Sequence, residues 1–173
     1  MNLSINATTE KEEVFSQIAS ELSLLGFKVE KQDQSRPWGG FFVLDENQAQ
    51  AFAKLYFSHL EMSEIQITNK LSPKILVVAP HKRLSWQYHF RRAEIWKVIA
   101  GTTVGVKISN TDEQSNEVIS LDSGSFIQME KGERHRLIGL ENWGVVAEIW
   151  QHTDPENPSD EDDIVRLQDD FGR

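Results

Sequence analysis

From residue 74 onward, the sequence is a succession of short apolar or alternating runs separated by turn signals. No helix-forming stretch lies between them. Short strands at such regular spacing are typical of an antiparallel sandwich or barrel. The sequence therefore predicts an all-β region whose strands fall at 74–79, 84–90, 94–100, 104–108, 117–121, 125–129, 135–138 and 144–151.

The sequence before this region has a different pattern. Within 10–25, apolar residues recur at helical spacing along one face, which predicts an amphipathic helix. Thr9 and Glu12 have the spacing of a capping box, which predicts that the helix begins there. A turn and a short strand are expected at 36–45, and a second helix is expected near 47–57.

The chain has 173 residues, a length that favours one domain with or without an appendage. We expect 1–35 to form an N-terminal helical appendage and 36–173 to form the barrel, with an acidic C-terminal strap. The net charge of -9 is uneven, since eight acidic residues and two arginines give 154–173 a charge of -6. Because duplex binding needs a basic face, we expect no nucleic-acid partner.

Composition excludes several other classes of protein. Cysteine is absent, so the chain has neither a disulfide framework nor thiolate chemistry. No apolar run approaches the length that spans a membrane, and the first residues lack the basic start and apolar core of a signal peptide. We therefore expect a cytoplasmic protein that does not associate with membranes.

One predicted strand pair carries polar side chains that a dry core would not contain. Gln87 and His89 face the same side, because residues two apart in a strand do so. Glu94 follows after a turn, and His135 begins a later strand. These four side chains form a nitrogen and oxygen set suited to a divalent metal, with zinc, iron, nickel and manganese all compatible. Taken singly, each residue is equally explained by a hydrogen bond or an ion pair.

The spacing of these residues resembles the two motifs of the cupin superfamily. Four residues separate His89 from Glu94, and six separate Glu94 from Gly101. Later, seven residues separate Gly124 from Gly132, and His135 follows after two more. The resemblance implies a cupin double-stranded β-helix, or jelly-roll barrel, with one metal ion inside. Gln87 stands where most cupins have a histidine.

Four stretches resemble, in order, the C-terminal domain of type II mannose-6-phosphate isomerases: RPWGG, LSPKILVVAPHKRLSWQYHFRRAEIWKVIAGT, KGERHRL and DEDDIVRLQDDFGR. Gln at the first ligand position belongs to the pattern of this family. The match covers about 36–45 and 71–173, without the nucleotidyltransferase domain to which many members are fused. It implies an isomerase that interconverts mannose-6-phosphate and fructose-6-phosphate through an enediol.

The resemblance also implies roles for individual residues. Arg92 would stabilise an oxyanion or bind phosphate, and Glu148 would act as general base, although Glu148 could equally pair with an arginine. A metal-bound hydroxide and His81 are other possible bases. The ligands of one divalent metal, with zinc favoured, would be Gln87, His89, Glu94 and His135. Three cations would bind the substrate, namely Lys82, Arg83 and Arg91. Each of them could instead be a solvated surface charge.

Departures from the family pattern leave the function open. Ile95 replaces a histidine, Phe90 and Arg91 stand where many members have histidines, and Gly139 replaces an asparagine. The chain is therefore expected to be a sugar-phosphate isomerase, a non-catalytic cupin that binds metal and sugar, or another cupin enzyme such as a dioxygenase or epimerase. The expected partners are a small sugar phosphate and a second copy of the chain in a homodimer.

Overall fold

The computed structural model describes residues 1–101 and 103–172. Within them, strands form two antiparallel sheets. The strands are β1 (Val29–Asp33), β2 (Gly39–Leu44), β3 (Lys74–Val78), β4 (Trp86–Tyr88), β5 (Arg92–Gly101), β6 (Val104–Ser109), β7 (Ile119–Leu121), β8 (Phe126–Met129), β9 (Arg134–Gly139), β10 (Gly144–His152) and β11 (Val165–Gln168). The larger sheet has the order β1-β2-β3-β10-β5-β8, and the smaller has the order β11-β4-β9-β6-β7.

The two sheets pack face to face over one apolar cluster. Side chains of Trp96 and Val98 from the larger sheet meet Val106 and Leu137 from the smaller sheet. This arrangement confirms the predicted all-β fold, the double-stranded β-helix. All eight predicted strands are present, although β4 is shorter than expected because only Trp86–Tyr88 pair with neighbours.

The second face of the larger sheet is covered by helices, which explains why its central strands are apolar on both sides. The helices are α1 (Lys11–Leu24), α2 (Ala49–Tyr56) and α3 (Met62–Ile65), and a single 3-10 turn (Glu46–Gln48) precedes α2. Phe15 of α1 stacks on Phe42 of β2 with ring centroids 5.2 Å apart. Both long predicted helices are confirmed. Among the described residues, no helix has both the length and the apolarity to cross a bilayer.

The predicted capping box at the start of α1 is wrong. The residue preceding the helix is Glu10, and no side chain caps the first turn. The Thr9 hydroxyl instead accepts a hydrogen bond from the Asn6 amide at 2.9 Å, within the preceding turn. A side chain committed to that turn cannot also bind the free amides of the helix.

Residues 1–35 share the hydrophobic cluster of the larger sheet. Val14, Ile18 and Leu22 of α1 are fully buried in it. β1 also lies in this stretch and pairs with β2. The sequence VEKQD did not indicate this strand, because its residues are mostly exposed and polar. The division of the chain at residue 35 stays a prediction.

The acidic C-terminal segment runs along the smaller sheet. Most side chains of 154–162 are exposed, and the segment continues into β11. β11 pairs antiparallel with β4, and Arg166 lies opposite Gln87. The segment is thereby positioned beside the strand that carries the predicted metal ligands.

Candidate metal centre and adjoining cavity

Three of the four predicted ligands meet between the two sheets. His89 follows β4, Glu94 belongs to β5 and His135 belongs to β9, and their ligand atoms all lie within 4.8 Å of one another. Glu94 Oε1 is 3.1 Å from His89 Nε2, and Glu94 Oε2 is 3.3 Å from His135 Nε2. All three side chains are buried.

Backbone carbonyl groups fix both imidazole rings. His89 Nδ1 is 2.6 Å from the Asp163 carbonyl oxygen, and His135 Nδ1 is 3.0 Å from the Glu133 carbonyl oxygen. Because a carbonyl oxygen only accepts, each Nδ1 carries the proton and each Nε2 presents a lone pair to Glu94. This is the arrangement in which histidine ligates metal ions. Burial lowers the pKa of His89 and so favours the neutral ring that a metal requires.

Two of the ligand atoms have no hydrogen-bond partner. Glu94 Oε2 and His135 Nε2 are both buried, and no group of residues 1–101 or 103–172 donates a hydrogen bond to either atom. Leaving such acceptors unpaired costs free energy, and a divalent cation between them would satisfy both. The donor set therefore fits a metal ion held by His89, Glu94 and His135.

Gln87, the fourth predicted ligand, lies next to this group. It faces His135 in the register between β4 and β9, and its side chain lines a cavity that adjoins the ligands. Its Oε1 accepts a hydrogen bond from the Ser85 hydroxyl at 2.5 Å. The structure thus brings all four predicted ligands to one end of the barrel.

Arg92 connects the ligands to the C-terminal segment. Its Nε donates to Glu94 Oε1 at 2.8 Å, and its Nη2 is 3.2 Å from His89 Nε2. On the other side, Nη1 donates to the Ser159 hydroxyl at 2.8 Å. Burial by itself raises the pKa of Glu94, but His89 and Arg92 outweigh it and hold that pKa well below its usual range. Glu94 is therefore a carboxylate, the form that binds metal.

Glu148, predicted as a base, projects into the same cavity from β10. The Trp96 indole donates to Glu148 Oε1 at 2.9 Å, and the carboxyl group is buried. Burial and the nearby charge of Glu94 raise the pKa of Glu148 to about 7, although Lys74 and Arg92 act in the opposite direction. A carboxyl group with this pKa can both accept and return a proton near neutral pH.

The cavity beside the ligands has a volume of about 100 Å³, and its walls combine aromatic side chains with charged and polar ones. Its lining includes Trp38, Phe41, Trp96 and Trp150. Lys74 also lines it, although the sequence analysis did not single it out. The signal was present, because Lys74 is the one charged residue in KILVV, a run buried on both faces.

Lys82, Arg83 and Arg91, which were predicted to bind substrate, do not line this cavity. Lys82 is exposed. Arg83 donates to Asp170 at 2.5 Å, and Arg91 donates to Asp160 at 2.9 Å. The acidic segment thus takes up the charge of both arginines on the outside of the barrel, and their position gives the predicted role no support.

Two other sequence features also lie away from the cavity. His81, considered as a base, is exposed, and its Nε2 is 3.9 Å from Glu141. Ile95 is fully buried in the cluster beneath the helices, because side chains of adjacent residues in β5 point to opposite faces. Phe90 is 61% exposed. Side chains at positions 90 and 95 therefore do not reach the cavity, and the replacement of histidine at these positions removes no group from it.

Comparison of the sequence with known proteins places it beside carbohydrate-related proteins. The family described as "Mannose-6-phosphate isomerase C-terminal" matches residues 45–169. The Xanthan biosynthesis protein XanB of Xanthomonas campestris pv. campestris (strain B100) is 28% identical over 138 residues, which are 80% of this chain and 23% of that protein. The chain thus spans less than a quarter of the length of this curated relative.

Solved structures share the fold at low sequence identity. A recombinant oxalate oxidase in complex with glycolate has a TM-score of 0.51 and 19% identity, covering 81% of this chain and 61% of that chain. Procruciferin, an 11S globulin from Brassica napus, has a TM-score of 0.53 and 12% identity, covering 81% of this chain and 30% of that chain. At these identities the likeness concerns the fold alone.

Proposed function

This chain belongs to the mannose-6-phosphate isomerase C-terminal family, and on that premise we propose that it is a metal-dependent isomerase of mannose-6-phosphate and fructose-6-phosphate. The observation that carries the proposal is the position of Glu148. Its carboxyl group has a pKa of about 7 and lines the same cavity as Gln87 and Glu94 of the candidate metal centre. Zinc is the favoured metal, since imidazole and carboxylate ligands suit it.

The reaction moves one proton between neighbouring carbons. A base removes the proton from C2 of the aldose, and an enediol forms. The base then delivers the proton to C1 to give the ketose, while the hydroxyl proton of O2 passes to O1. Glu148 has the pKa to take and return the carbon-bound proton at neutral pH. The indole of Trp96 holds this carboxyl group through its hydrogen bond.

The ligand residues supply the electrostatic part of the reaction. A bound divalent cation would stabilise the negative charge that develops on the sugar oxygens. His89, Glu94 and His135 would hold it, and Gln87, which lies opposite His135 in the strand register, would be the fourth ligand. Arg92 has Nε on Glu94 and Nη1 on Ser159, so we propose that it positions the carboxylate rather than binding the sugar oxygen directly.

The test is turnover by the purified protein, with its metal content measured on the same sample. Conversion of mannose-6-phosphate should require the metal, disappear on chelation and return when zinc is added. Glu148→Gln should remove turnover while leaving metal content unchanged, and His135→Ala should remove both. Glu117→Gln is the matched control, since Glu117 is an exposed glutamate. Stoichiometric metal without turnover of any sugar phosphate would contradict the proposal and leave a binding protein.

A further inference from the structure

Lys74 is a buried cation at the edge of the candidate site. Its side chain is 6% exposed, and its Nζ lies 3.7 Å from the centroid of the Trp150 ring. Lys74 pairs with Glu148 in the register of β3 and β10, so it projects to the same face as the proposed base. A buried ammonium group needs a counter-charge, because its desolvation is costly.

The counter-charge of Lys74 comes from the C-terminal segment. Glu161 forms an ion pair with Lys74, yet the Glu161 side chain is 63% exposed. An exposed carboxylate gains little from such a pair, because water solvates it nearly as well. Another anion can therefore replace Glu161 at Lys74 without leaving a buried negative charge behind.

Two further donors in the cavity have no acceptor. Within the described part of the chain, the buried indole nitrogens of Trp38 and Trp150 make no hydrogen bond, and both side chains line the cavity together with Lys74. A buried indole N–H normally finds a partner. Lys74 and these two unused indole donors suit a ligand that brings a negative charge and several oxygen acceptors.

The ion pair also lies between two spaces. Lys74, Trp150 and Glu161 line the cavity beside the metal ligands, and the same three residues line a second groove. The lining of that groove also includes Asp45 and Lys70. An anion at Lys74 would therefore sit at the outer end of the cavity, with the rest of the ligand directed toward Glu148.

We propose that Lys74 is the anchor for the phosphate group of the sugar phosphate, and that Glu161 occupies this anchor until the phosphate displaces it. The indoles of Trp38 and Trp150 then donate to oxygen atoms of the same ligand. The identity of the ligand as a sugar phosphate rests on the proposed function. The anion site itself requires no turnover, so it is testable by binding alone.

The experiment measures binding of inorganic phosphate and of fructose-6-phosphate by calorimetry, with unphosphorylated fructose as the comparison. Lys74→Gln should weaken the binding of both phosphate ligands by about tenfold or more, because one charge-assisted contact is lost. Glu161→Gln should tighten both by a few-fold, since it removes the competing carboxylate. Glu156→Gln is the matched control, because Glu156 is an exposed acid of the same segment. Fructose should bind equally to all four proteins.

Two outcomes would overturn the inference. One is unchanged phosphate binding in Lys74→Gln, and the other is unchanged or weaker binding in Glu161→Gln. The second variant is at an exposed position, so it tests the inference even where Lys74→Gln unfolds. Phosphate binding that depends on Lys74 without any turnover sustains the anion site and contradicts the isomerase. Turnover with an unchanged KM in Lys74→Gln would support the isomerase and contradict the anion site at Lys74.

Discussion

Arg92 donates a hydrogen bond to Glu94 at 2.8 Å, and the two side chains are 4% and 3% exposed. They lie two residues apart in β5 and so project to the same face. The guanidinium stacks over Trp150, with its carbon 3.6 Å from the ring centroid. Both charges are buried, and Arg92 helps His89 to hold the pKa of Glu94 well below its usual range.

Glu94→Gln should destabilise the metal-free protein by about 3–5 kcal/mol, the typical cost of removing one partner of a buried pair. The amide keeps the shape of the carboxylate but leaves Arg92 buried without its counter-charge. Urea unfolding of chelated protein measures the change. The exposed Glu117→Gln is the control, and a loss of stability no greater than in that variant would show that Arg92 does not depend on Glu94.

Glu148 should titrate with a midpoint of about 7 in the chelated protein, since burial and Glu94 raise its pKa from 4.5. The folded state then binds more protons than the unfolded state between about pH 4.5 and 7, so the free energy of unfolding should fall as pH rises through this window. Carboxyl infrared bands in wild type and Glu148→Gln identify the group. A midpoint near 4.5 would contradict the proposed base.

Asp163→Asn should destabilise the fold by about 1–3 kcal/mol, because it disturbs three hydrogen bonds at once. The carboxylate accepts from the Phe90 amide, the Arg91 amide and the Ser159 hydroxyl. Although burial raises the pKa of Asp163, the hydrogen bonds outweigh it and lower that pKa. Urea unfolding midpoints at neutral pH test the prediction.

The matched control for this variant is Asp162→Asn, which changes the neighbouring exposed acid. Because the pKa of Asp163 is depressed, its contribution to stability should be present above the ordinary aspartate pKa and disappear as pH falls through the folded value. Equal midpoints for the two variants would show that the contacts of Asp163 contribute nothing.

His152 should remain neutral far into the acidic range. It is fully buried at the end of β10, and its Nε2 is 3.0 Å from the Ser72 hydroxyl. Burial, followed by the charges of Lys70 and Arg92, lowers the pKa of His152 to about 4. The contribution of His152 to stability is therefore complete above the ordinary histidine pKa and declines as pH falls toward 4. A ring-proton NMR midpoint between 6 and 7 would refute this.

The sequence was most informative where spacing within one strand pair decides geometry. His89, Glu94 and His135 were predicted together because alternation along strands and the two motif spacings direct them into the space between the two sheets. The position of Ile95 follows from the same alternation, yet the histidine that it replaces in the family pattern leaves the function open at the level of sequence. The helices that cover the larger sheet show that Ile95 packs beneath them, away from the cavity.

The basic residues were predicted less well, because distant partners decide their role. Arg83 pairs with Asp170 and Lys74 pairs with Glu161, and each partner lies 87 residues further along the chain. The sequence shows one acidic segment and several cations, but not which cations it covers. The dense run that includes Arg83 and Arg91 therefore resembled an anion site, whereas the single Lys74 lines the cavity.

The link between Arg92 and Ser159 also orders events during translation. The ribosome adds Ser159 only 67 residues after Arg92, and Asp163 four residues later. Until then, the guanidinium lacks its acceptor on Ser159 and the ring of His89 lacks the carbonyl oxygen that orients it. A nascent chain therefore carries an unfinished centre, and a premature stop before residue 163 leaves it so. The contacts that orient Arg92 and His89 are thus complete only once synthesis has passed this point.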